Sequence, residues 1–107
     1  MFFLMENIHH PGKQDERDRL RPDHRDWVGS GGHGLCSVLI GSALWNDDGD
    51  AIGHWGVLEA ATLADARAFA EGDPFYAQGV VADLKLTRLA DGFQAQRISE
   101  RMSPAIP

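Results

Sequence analysis

Apolar and polar positions along this chain change period several times, and the changes mark out its elements. Residues 2–8 carry Phe2, Phe3, Leu4, Met5 and Ile8, apolar on both faces, which predicts a strand buried on both sides. His9-His10-Pro11-Gly12 reads as a turn. Residues 14–20 are highly charged. From Leu20 the pattern becomes helical, with Leu20, His24, Trp27 and Val28 on one face. Pro22 leaves two readings open: a helix that starts there with Pro at its first position, or an earlier helix kinked by it. The glycine-rich run Gly29-Ser30-Gly31-Gly32-His33-Gly34 ends the helix. Leu35 to Leu44 predicts a second strand centred on Val38-Leu39-Ile40. Asn46 to Asp50 supplies hairpin-turn chemistry, and Ile52 to Glu59 a third strand. Thr62 is a good N-cap, with Asp65 as a weak capping-box partner. Leu63, Ala66, Phe69 and Ala70 then form an amphipathic stripe that Gly72 and Pro74 terminate. Val80 to Leu89 alternates, with Ala82, Leu84 and Leu86 against Asp83, Lys85 and Thr87, as a fourth strand does.

The order β-α-β-β-α-β is the split βαβ arrangement of ferredoxin-like α+β folds. Two helices cover one face of such a sheet. The first strand shows no polar face, so the second sheet face also needs a cover. A second copy packing sheet to sheet would supply it, and a homodimer is expected. Residues 91–107 are polar with two prolines near the end. They read as a C-terminal tail, either an arm onto the partner or a disordered segment.

Composition narrows the class. A chain of 107 residues is one domain, and folding buries roughly 60–70% of its unfolded surface. Sixteen acids against ten bases give a net charge of −6. That argues against nucleic acid as a partner, whose footprint is basic, and against an anionic membrane surface. Cys36 is the only cysteine, so no internal disulfide forms and a reducing compartment is the natural reading. Phe2-Phe3-Leu4-Met5 is too short for a signal segment or a membrane span. The expected location is the cytoplasm.

Several residues invite chemistry, and most have an ordinary alternative. By periodicity alone, His24 is a core histidine satisfied by a backbone group. Asp73 before Pro74 is ordinary turn chemistry. Ser42 follows Gly41 at a strand end and could hydrogen-bond a ligand or a neighbouring backbone group. A Ser-His-Asp triad lacks any nucleophile-elbow pattern around Ser42. Arg21 could hold a substrate carboxylate through its fork, or be a solvated surface charge. His9, His10, His33 and His54 raise the question of a metal, but no pair has a ligand spacing such as HExxH and no cysteine pair exists. No metal is expected. The glycine-rich run follows a helix and precedes a strand, the reverse of a phosphate loop. In Asn46–Asp50 the glycine falls too early, and no closing Glu sits where a calcium loop needs it.

Arranged in order, the chain resembles the YciI-like (YCII-related) family over residues 1–90. The resemblance is carried by Arg21-Pro22-Asp23-His24, Gly41-Ser42-Ala43-Leu44, Asp47-Asp48-Gly49 and Ile52-Gly53. It continues through Glu59-Ala60, Thr62-Leu63-Ala64-Asp65-Ala66-Arg67-Ala68-Phe69, Gly72-Asp73-Pro74-Phe75 and Ala77-Gln78-Gly79-Val80. It implies a ferredoxin-like domain in a dimeric α/β-barrel-type assembly, with a pocket centred on His24 and Asp73. The family is mostly without assigned reactions, and some members are tied to aromatic catabolism. The resemblance makes His24 a general acid or base for elimination or isomerisation of a small molecule, with Asp73 orienting and polarising it. Gly41 and Ser42 would shape the pocket wall. No cofactor is required. The alternative is a non-catalytic ligand-binding or accessory dimer. Two departures stand out: the short glycine-rich segment after His24, and a longer tail beyond Leu89.

Overall fold

A computed structural model describes all 107 residues. The elements are β1 (Phe2–His9), α1 (Gln14–Gly29), the single turn α2 (Gly31–Gly34), β2 (Ser37–Trp45), β3 (Ala51–Glu59), α3 (Leu63–Gly72), the single turn α4 (Pro74–Ala77) and β4 (Val81–Arg88). A short 3₁₀ turn follows at Ala95–Arg97. The strands form one antiparallel sheet in the order β2-β3-β1-β4. This is the expected ferredoxin-like α+β topology.

Register sets the two faces. Phe3, Met5, Asn7 and His9 of β1 are buried. They oppose Leu58, Gly56 and His54 of β3 on one side and Arg88, Leu86, Leu84 and Val81 of β4 on the other. This face carries the main core: Phe3, Met5, Val38, Leu58, Ala66, Phe69 and Ala70 close around Cys36. Burial, and secondarily Asp65, pushes the Cys36 thiol up to about 12, so the sulfur serves as packing. Leu4, Ile8, Ile40 and Trp55 lie on the opposite face, where Ile8 and Ile40 are exposed. The first strand is therefore mixed on both faces and not apolar on both as expected: Glu6 lies outward between Leu4 and Ile8, and Asn7 and His9 lie on the covered side.

Three features settle or revise the sequence reading. First, α1 runs unbroken from Gln14 with Pro22 inside it, so the helix begins in the charged segment and not at the proline. Second, Asp73 caps a new turn: its carboxylate accepts the Phe75 N–H at 2.9 Å. Third, the tail lies on its own chain. Phe93 packs on Phe2, Arg101 pairs with Glu59 at 2.7 Å, and the buried Ser103 hydroxyl accepts the Val38 N–H at 2.6 Å.

The glycine-rich run makes a reversal in which Gly31, Gly32, His33 and Gly34 all have positive φ. That conformation is costly for residues with a Cβ, and glycine supplies three of the four. The reversal brings Gly32 against Trp27. A Cβ on Gly32 would lie 2.9 Å from the indole, and one on Gly72 would lie 2.5 Å from it. Trp27 thus occupies a slot between two glycines, and its indole N–H donates to the Phe69 carbonyl at 3.0 Å. This seat holds α1 against the end of α3. Thr62 starts α3 as expected, accepting the Asp65 N–H.

Filling that slot should destabilise the fold. Gly72→Ala is expected to cost about 1–3 kcal/mol by overpacking. Gly29→Ala, whose Cβ meets nothing within 4 Å, is expected to be neutral or stabilising by about 0.4–1 kcal/mol. Urea unfolding of the two variants would check this.

Candidate functional site

Trp27 sits one turn after His24 on α1, and Gly72 directly precedes Asp73. The Trp27 seat therefore delivers the histidine to the aspartate. His24 Nδ1 lies 2.7 Å from one Asp73 oxygen and 2.9 Å from the other. The aspartate is 2% exposed, and Phe75 stacks on the His24 ring at 4.1 Å with an angle of 11° between planes. Backbone N–H and imidazole N–H both point at one carboxylate, which fixes its orientation.

A carboxylate only accepts hydrogen bonds, so we assign the neutral His24 proton to Nδ1. Its Nε2 is then left with a free lone pair. Such an imidazole takes a proton at Nε2 while Asp73 stabilises the charge formed on the ring.

Two further histidines extend the cluster. His54 Nε2 lies 3.6 Å from Asp73 Oδ2, and His54 Nδ1 lies 2.8 Å from His9 Nε2. The consistent assignment has His9 donating to His54 and His54 directing its own N–H at Asp73. Burial, with Arg17 and His24 nearby, lowers His9 to about 4. Burial first, then His24, His9 and Arg17, hold His54 well below the ordinary histidine value. Both rings stay neutral at pH 7. His24, His54 and Asp73 offer ligand atoms within 4.8 Å of one another, a set that could hold a metal ion. A metal there would have to displace the His24 proton from Asp73.

The site opens into a cavity of about 280 Å³ between α1 and the β2–β3 side of the sheet. Gly41 and Gly56 pair across the strands on its floor, beside Ala43 opposite His54. A Cβ on Gly56 would meet only ordinary contacts, Met5 among them, whereas one on Gly41 would strike the Trp55 carbonyl oxygen at 2.5 Å. Gly41, Ser42, Arg21 and His24 all line the cavity, as do His9, His54, Arg17, Arg25 and Met102 from the tail. Asp73 is not in the lining; it stands behind His24.

Motif spacing gives His9 and His54 no role, yet both stand in the cluster. Alternation along the strands is the signal for them: His9 follows Phe3, Met5 and Asn7 on one face, and His54 precedes Gly56 and Leu58. Arg17 is hidden in the sequence because Pro22 makes the start of α1 ambiguous.

The model of the YCII-related domain matches residues 1–90. The chain belongs to this family. No curated protein matches it. Among solved structures, 5-chloro-2-hydroxyhydroquinone dehydrochlorinase (TftG) from Burkholderia phenoliruptrix AC1100, in complex with 2,5-dihydroxybenzoquinone, is similar with a TM-score of 0.74. It is 24% identical, and the match covers 86% of this chain and 96% of that one. A protein from Agrobacterium tumefaciens is 13% identical with a TM-score of 0.47, over 86% of this chain and 96% of its own. The first likeness shows the shared ferredoxin-like fold of this YCII-related chain. No helix is long and apolar enough to cross a membrane.

The buried histidines give the fold a pH dependence. Below 6.5, the ordinary histidine value, the unfolded chain takes up protons that folded His9 and His54 refuse. The unfolded state then binds more protons, so stability falls as pH drops. For His9 the loss ends near pH 4, its folded value. The urea midpoint is expected to fall across this window. A His9→Gln/His54→Gln variant should fall less steeply.

Proposed function

We propose that this cavity is a proton-transfer site for a small organic molecule, with His24 moving the proton and Asp73 orienting and polarising it. The observation that carries the reading is the hydrogen bond from the half-buried His24 to the buried Asp73, with Phe75 stacked on the imidazole and Nε2 left free. Its geometry meets the first requirement of general acid–base catalysis, a base fixed in one orientation. Gly41 and Ser42 shape the wall, Arg21 stands at the rim as a substrate contact, and the chemistry needs no cofactor. The similar dehydrochlorinase holds a dihydroxybenzoquinone, which makes elimination from a substituted ring the first reaction to test, with isomerisation next. The reaction would fit aromatic catabolism in the cytoplasm.

The working form proposed is a homodimer. Leu4, Ile8, Ile40 and Trp55 share the sheet face away from the helices, and a second copy would cover them. Ile40→Lys is expected to shift the protein to monomer in light scattering.

The decisive experiment is turnover of chlorinated hydroquinones by wild type, His24→Ala and Asp73→Asn. Loss of about 10²–10⁴-fold in both variants, with folding retained, is the expected outcome. Undiminished turnover in His24→Ala would overturn the mechanism. A ligand bound without turnover by wild type would favour a binding or accessory role.

A further inference from the structure

The chain is acidic overall, with a net charge of −6, yet its cavity inverts that sign. The lining holds Arg17, Arg21, Arg25, His9, His24 and His54, and no aspartate or glutamate. The arginines recur every four residues along α1, so they form one stripe on the same side as His24 and Val28. They are also poorly compensated. Arg21 and Arg25 make no ion pair within 4 Å. Arg17 reaches only Asp18, at 3.4 Å, and that aspartate's side chain is 69% exposed. The Arg17 side chain is 13% exposed, and its Nε is buried with no hydrogen-bond partner.

A largely buried guanidinium with one N–H unsatisfied and only a solvent-exposed carboxylate beside it is costly to keep. A fold keeps such a group where a partner arrives from outside. The guanidinium fork suits an oxyanion, which it grips through two parallel N–H bonds. We propose that the cavity selects a compact organic anion, its negative oxygens held by Arg17 with Arg21 and Arg25 drawing it in at the rim. The chemistry after binding rests on the proton-transfer reading, but the binding itself does not.

Two other features agree. At about 280 Å³ the space falls just below the roughly 300–1,000 Å³ of drug-sized sites, so the occupant is of single-ring size. Met5, Val28, Val38 and Phe69 line the rest of the cavity, which suits an apolar body behind the charged group. The charge also serves the chemistry. When His24 Nε2 removes a proton from the substrate, the bonding electron pair stays behind on it. Guanidiniums already facing the substrate oxygens hold that extra charge without reorganising.

The test is binding by calorimetry, with two matched probe pairs: 2,5-dihydroxybenzoquinone against its dimethyl ether, and benzoate against benzamide. The first member of each pair is anionic at neutral pH and the second is not. The anions are expected to bind wild type at least tenfold more tightly, with the preference weakening at high salt. Arg17→Met should erase most of the preference and Arg17→Lys should keep part of it. Arg17→Met should also leave the free protein as stable as wild type or more so, since it removes a largely buried guanidinium whose Nε has no partner and whose one ion pair is to an exposed aspartate. His24→Ala should retain the preference, which separates this inference from the proton-transfer reading. Equal affinity within each pair, binding of neither anion, or an unchanged preference in Arg17→Met would overturn it.

Discussion

The carboxylate of Asp73 is the point at which local structure and chemistry meet. It caps the turn Pro74–Ala77 through the Phe75 N–H and holds His24 by its Nδ1 proton, while the His54 ring stands 3.6 Å away. A carboxylate that is 2% exposed survives only when its oxygens are satisfied. Here the satisfaction comes from the backbone N–H of Phe75 on α4 and the imidazole of His24 on α1. The cap is therefore more than a turn device: by placing Phe75 it also places the ring that stacks on His24. Removing this carboxylate would unfasten the turn and the imidazole together.

Getting His24 to that carboxylate is a packing problem, and Trp27 solves it. Its indole is seated between Gly32 and Gly72 and tied to the Phe69 carbonyl. Both glycines are needed for close approach, and one of them sits in a stretch of positive φ that few other residues tolerate. The glycine-rich segment is thus what lets α1 lie down on the end of α3. Because Trp27 and His24 are one turn apart on a helix, a fault in the seat would be transmitted directly to the site.

Much of this was legible in the sequence, and for identifiable reasons. Alternation in Val80–Leu89, the Thr62 cap and the Asn46–Asp50 turn are local signals, and the strands and α3 fall within a residue or two of where they predict. His24 and Asp73 were legible through the family pattern, since nothing local says that residues so far apart touch. The start of α1 was ambiguous because Pro22 speaks against a continuous helix, and tertiary contacts with α2 and α4 override it. The tail was illegible for a similar reason. Ser103 and Arg101 are unremarkable in sequence, and their value lies in the Val38 backbone and the Glu59 carboxylate they meet.

The remaining surprise is where the fold tolerates imperfection. The buried side-chain atoms without hydrogen-bond partners belong to Asn7, His9 and Arg17. Asn7 lies opposite His54 in the sheet, His9 contacts His54, and Arg17 lines the same cavity. Each such atom costs about 1–3 kcal/mol; an apolar residue at Asn7 or Arg17 would relieve that cost, whereas one at His9 would take away the donor to His54 Nδ1. The concentration around one cavity argues that these groups are held for what enters it. The floor residue Gly56 points the same way, because a Cβ there would meet only ordinary contacts, Met5 among them. A core selected for stability alone would close this space and neutralise its arginines. This one keeps the space open and the charge unspent, beside an imidazole already aimed into it.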